Sequence, residues 1–236
     1  MRQEPLDWSD CTNWSTNICP AAVDTVTFNA TSTKDAVVDA AWVVSSGQVT
    51  SIVIASGYTG TLSVERSLTV SGAFSIAAGT FTANAQTVDF NGTVTISGGI
   101  FNASSGSMTI AGGYTHTAGG TFNHSNGTVT VDGSAQVTWN VATTEEFYDF
   151  SINNTQTAIS LIISTGDTLN VNNTLTLTDG SISTGTIAAK GATVTIGPDF
   201  GLGSNSSGTL LINGAGTQTG VFIMETGVDG LLMNER

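Results

Sequence analysis

The sequence predicts an all-β chain wound into a single parallel β-helix (β-solenoid), with coils of about twenty residues and a cap at the amino terminus. Three observations carry this. Self-similar segments follow one another between residues 79 and 138, with Phe81, Phe101 and Phe122 twenty and then twenty-one residues apart. A fixed period of that length marks a repeat architecture. Within each repeat apolar and polar residues alternate, as at Val88 to Phe90, Met108 to Ile110 and Val129 to Val131, which is the period of a strand with one buried face. Glycine pairs at Gly98-Gly99, Gly112-Gly113 and Gly119-Gly120 mark sharp corners between strands too short to leave room for an ordinary helix.

Taken in order, residues 1–30 read as the cap. They hold Trp8, Trp14, Pro20, the strand VDTVTF and the only two cysteines, Cys11 and Cys19. A solenoid end must be covered, because it exposes unpaired strand edges and apolar core. The closeness of the two cysteines reads as a disulfide closing a small loop in an oxidising compartment, with two unpaired thiols as the alternative, while their C-x₇-C spacing matches no common metal knuckle. Residues 31–219 read as the solenoid. Leu68 to Val70 extends the strand series towards the amino terminus, and Leu175 to Leu177 and Val194 to Ile196 continue it nineteen residues apart beyond an irregular coil at about 138–163. There Glu145, Glu146, Phe147, Tyr148 and Phe150 break the pattern, which predicts a wider coil. Residues 220–236, with two short apolar stretches, read as a closing strand or a second cap. Nine to eleven coils are expected, each hydrogen-bonded to the next at a spacing of about 4.8 Å.

Composition narrows the function. The net charge is −13, with only Arg2, Lys34, Arg66, Lys190 and Arg236 basic, so the chain repels polyanions and nucleic acid is excluded as a partner. No apolar run reaches the roughly eighteen residues of a membrane span, and the polar start MRQEPLDWSD carries no signal-peptide pattern. The expectation is a mature or excised segment that does not insert into a membrane.

The segments NWSTNICPAAVDTVTFNATSTKDAVVD, GYTGTL, GGTFNHSNGTVTVDG and LTLTDGSISTGTI make residues 8 to 219 resemble the β-strand repeats of large bacterial surface proteins and autotransporter-like adhesins. The resemblance implies a secreted or cell-surface location and a stalk or adhesive role. Those proteins run through many more repeats to an anchor, so this chain is expected to be a fragment or a free subunit able to stack end to end.

Chemistry is sparse. Asp89, Asp132 and Asp149 can be placed on one face, but Asp132 sits in an Asp-Gly turn where aspartate serves local hydrogen bonding, and a polysaccharide-active enzyme is the least favoured reading. His116 and His124 read as surface residues. No cofactor is expected. Asp167, Asp179 and Asp199 are isolated, which leaves at most a weak calcium site on turn carbonyls. If the chain is an adhesin for a glycan or host surface, Trp42, Trp139 and Tyr148 are the candidate stacking platforms, against the alternative of cap or core packing. Asn102 and Asn123, each following a stacked phenylalanine, predict a short asparagine ladder.

Overall fold

The computed structural model describes residues 5–32, 34–156, 160–190, 192–201, 209–212 and 222–224. The chain forms a parallel β-solenoid. A regular turn passes through Leu68–Val70, Phe74–Ile76 and Thr80–Thr82, and the next begins twenty residues on at Val88–Phe90. Corresponding strands of successive turns stack into three parallel sheets of six, seven and eleven strands. The first starts at Leu6–Asp7, the second at Thr25–Phe28 and the third at Gln48–Val49.

The register explains why the repeat folds this way. Phe74 lies beside Val94 and Val94 beside Tyr114 in the second sheet, both steps of twenty, and Phe81, Phe101 and Phe122 adjoin in the first. Every second residue points inward, so identical positions of successive turns form apolar columns. The deepest knot gathers around Phe101, whose ring centroid lies 4.9 Å from Phe81, 5.4 Å from Phe74, 5.9 Å from Phe122 and 6.1 Å from Phe90. Outward positions carry hydroxyls and amides. The expected asparagine ladder is among them: the Asn123 amide donates to Asn102 Oδ1 at 2.7 Å, and the Asn102 amide donates to Thr82 Oγ1 at 3.0 Å.

At the corner between the third and second sheets Gly72, Gly92 and Gly112 stack directly. A Cβ on Gly92 would stand 2.3 Å from the carbonyl oxygen of Gly72, and one on Gly112 the same distance from that of Gly92. Backbone approach this close admits only glycine.

There are about seven turns of about 21 residues, fewer than the nine to eleven expected. Two causes are visible in the chain itself. Much of the first thirty residues builds the cap, and turns at both ends of the regular stretch are longer than twenty. Val26 pairs with Ile52, Tyr114 with Trp139 and Val137 with Leu161, steps of twenty-six, twenty-five and twenty-four. The wide region also changes its cross-section. Regular turns separate the first and third sheets by a corner, as at 103–106, whereas Thr144–Asn153 runs straight through as one ten-residue strand against Thr168–Ser181. The register shifts between Phe147 and Asp149, so the bend is reduced to a bulge at Tyr148.

Of the expected closing segment at 220–236, Phe222–Met224 is a strand paired through Val194↔Phe222 to Thr193–Gly201, and the rest lies outside the described residues.

Candidate functional site

Two clefts among the described residues lie at the cap. Asp10 starts a short 3₁₀ turn at Cys11–Asn13, its Oδ1 accepting from the Thr12 backbone N–H at 3.0 Å and the Thr12 hydroxyl at 2.7 Å. These bonds favour the charged carboxylate and hold the Asp10 pKa below its ordinary value. The Asn13 amide donates to the Asp7 carbonyl at 2.9 Å, and the Cys11–Cys19 disulfide closes the loop. The Asp39 carboxylate ties the cap to the first turns, accepting from the backbone N–H of Ser9 at 2.9 Å and of Ala41 at 3.1 Å.

This framework supports an aromatic cluster over the open end of the core. Trp8 is fully buried and meets Trp14 and Trp42 edge to face at 5.4 and 5.0 Å. Phe28 lies 5.2 Å from Tyr58, whose hydroxyl donates to the Lys34 carbonyl. Burial, then the charge of Asp35, pushes the Tyr58 pKa up to about 12, so the phenol stays protonated.

Trp14 differs from its neighbours. It stands within the disulfide loop, its indole N–H donates to the Trp8 carbonyl at 3.3 Å, and it stays half-buried. A cleft of about 470 Å³ lies on one side, bordered by Asn13, Phe28, Asn29, Thr31 and Lys34 as well as Trp14. A second, of about 320 Å³, lies on the other side against Ile18, Asp24 and Thr25. An aromatic wall edged by amides and hydroxyls can stack on a flat apolar face while its rim hydrogen-bonds. As part of the cap, Trp14 is expected from the sequence only to cover the first coil. The missed signal is its position between two bridged cysteines, since a loop that small cannot enclose an indole.

The residues expected as platforms lie elsewhere. Trp42 is fully buried, with its indole N–H on the Pro20 carbonyl at 3.1 Å and the Arg66 guanidinium over its ring at 5.7 Å. Trp139 is also fully buried, between Tyr114 and Phe150. Neither ring shows a face to solvent, so the platform reading is corrected to core packing for both. Tyr148 is half-buried at the bulge of the wide coil, stacked on His124 at 5.9 Å, and borders neither cleft.

His116 is a second correction, because it is not on the surface. In the second sheet it continues the inward column Ile54, Ile76, Ile96. Its Nδ1 meets Glu145 Oε2 at 2.5 Å, and the Tyr114 hydroxyl donates to the same oxygen at 2.9 Å. The hydrogen bond to Glu145 raises the His116 pKa despite burial. Burial, then the Glu145 charge, pushes the Tyr114 pKa up as well.

The acidic face is structural in geometry. Asp89 accepts from the Thr109 hydroxyl at 2.7 Å and the Asn91 amide at 3.2 Å, and Asp149 accepts from the Asn173 amide at 2.7 Å. Burial, then the Asp89 charge, raises the Asp132 pKa. None of the three borders either cleft at the cap. Asp167 accepts from the Val141 backbone N–H, while Asp179 pairs in register with Asp199. Among the described residues no three His, Cys, Asp or Glu side chains converge where a metal ion would sit, and no helix is long and apolar enough to cross a membrane.

No family model, curated protein or solved structure matches this chain.

Proposed function

We propose that this chain is an extracellular, non-catalytic structural module: a stiff spacer or stalk segment of a bacterial cell surface, or a subunit that stacks end to end into a filament. The observation that carries the reading is the continuity of the backbone ladder. Three parallel sheets run side by side through the regular turns as far as Gly120–Asn123, and the third continues past the wide coil, around one apolar core. Bending the regular part of such a rod strains ladder bonds in all three sheets at once, and each turn there is held by both neighbours. The Cys11–Cys19 bridge supports a location outside the reducing cytosol.

Electron microscopy of the purified material, with limited proteolysis alongside, tests the proposal. Straight rods of uniform width, with a seven-turn body of about 30 to 35 Å at about 4.8 Å per turn, that resist cleavage between residues 60 and 131 are the expected result. Flexible particles cut readily within that stretch would refute it. A second reading, an adhesin or carbohydrate-binding surface module, has one specific observation in its favour: the paired clefts around Trp14.

A further inference from the structure

We propose that the two clefts at the cap form one binding groove for a neutral oligosaccharide, with Trp14 as its stacking platform. The inference does not depend on the mechanical reading, since a groove at the end of a rod binds whether or not the rod bears load.

Size comes first. The larger cleft falls within the range that encloses small ligands, roughly 300 to 1,000 Å³. Trp14, Ser15 and Thr27 border both clefts, so the indole is a ridge between two halves of one trough. That shape suits a chain of sugar units better than a single one.

Chemistry then selects the class. A pyranose presents an apolar C–H face and a girdle of hydroxyls that both donate and accept. Trp14 supplies the apolar surface, backed by the buried ring of Phe28, while Asn13, Asn29 and Thr31 stand at the rim. Ser15 and Thr27 are exposed on both clefts, where their hydroxyls can meet a ligand. The ionisable side chains bordering the trough are Asp7, Asp24 and Lys34. Asp24 is engaged by the Ala21 backbone N–H at 2.8 Å. One exposed lysine beside two carboxylates, on a chain of net charge −13, gives no attraction for an acidic polymer. The polar rim likewise disfavours a lipid tail.

The experiment exploits the tryptophans. Trp8, Trp42 and Trp139 are all 0 % exposed, so acrylamide quenching of fluorescence reports on Trp14. The intact chain is titrated with cellohexaose, chitohexaose, maltohexaose, xylohexaose and mannohexaose, with polygalacturonate as the acidic comparison. The expected result is saturable protection of Trp14 by at least one neutral hexasaccharide, with binding in calorimetry that weakens about tenfold or more in Trp14→Ala. Because that change also touches the cap cluster, Ser15→Leu serves as the second variant. It fills the trough from an exposed position, and the same loss of affinity is expected with an unchanged thermal melt. Absence of saturable binding across the neutral panel, selection of polygalacturonate alone, or binding unaffected by both variants each overturns the proposal.

Discussion

Replacing Phe101 with alanine tests whether the stacked rings hold the solenoid together. Phe101 is fully buried, with four phenylalanine rings within 6.1 Å. Truncating a core phenylalanine costs about 3 to 5 kcal/mol, and the value depends on how far the surroundings collapse into the space. Collapse is restricted here, because the strands on either side are pinned by their own ladders to Phe81 and Phe122. The expected cost is therefore about 4 to 5 kcal/mol, a fall in Tm of roughly 8 to 20 °C for a chain of this length. Guanidinium unfolding followed by far-ultraviolet circular dichroism measures it, with Ile100→Ala as the control. Ile100 is next in sequence but points outward at 41 % exposure, and its truncation should cost below about 0.5 kcal/mol. A loss under about 1.5 kcal/mol for Phe101→Ala, or equal losses for the two variants, would refute the argument that inward columns carry the stability.

Three more outcomes follow from the geometry. Gly92→Ala should cost about 1 to 3 kcal/mol by overpacking, since its Cβ would meet the Gly72 carbonyl at 2.3 Å; a change under about 0.5 kcal/mol in the same unfolding experiment contradicts that contact. Reducing the Cys11–Cys19 bridge, or replacing both cysteines with serine, should remove about 2.5 kcal/mol of loop-closure stabilisation; differential scanning calorimetry showing unchanged melting would contradict it. The His116 pKa is raised in the fold, so its interaction with Glu145 is fully present below the ordinary histidine pKa and is lost as pH rises through the raised value. Stability should thus decline over that window in the native chain and decline less in Glu145→Gln, as read from denaturation midpoints against pH; parallel profiles for the two proteins count against the pair.

The periodic part of this architecture was legible because in a solenoid the sequence period is the register. Once Phe81, Phe101 and Phe122 align, the adjacency of Val88, Met108 and Val129 follows without further information, as does the Asn102–Asn123 hydrogen bond. The cysteine pair was legible from proximity alone. What escaped were the places where a side chain departs from its column's type. His116 lies twenty residues after Ile96 in an inward isoleucine column, so its burial was in principle readable, but the partner that makes it tolerable, Glu145, comes from the wide coil where the period fails. The single long strand Thr144–Asn153, reached after the first sheet has ended at Gly120–Asn123, was hidden for a similar reason, since loss of a corner is announced only by missing turn residues. Trp42, Trp139 and Trp14 show a further limit. Composition cannot tell a buried indole from a half-exposed one when all stand among small polar residues; the first two are sealed by rings packed around them, and Trp14 is kept out by the bridged loop that carries it.

The stacked corner of Gly72, Gly92 and Gly112 has a consequence for inheritance. Between Leu68 and Ile110 each turn meets its neighbours through the same twenty-residue offset, with the same glycine at the same bend. Loss or duplication of the DNA coding for one such turn leaves every inward position facing an equivalent partner, so the molecule shortens or lengthens by one strand spacing without reopening its interior. The coils around Trp139 and Glu145 lack that interchangeability, because the buried His116–Glu145 contact joins two particular turns. Variation in length among descendants of this gene should therefore accumulate in the middle of the rod and spare its cap and its wide coil.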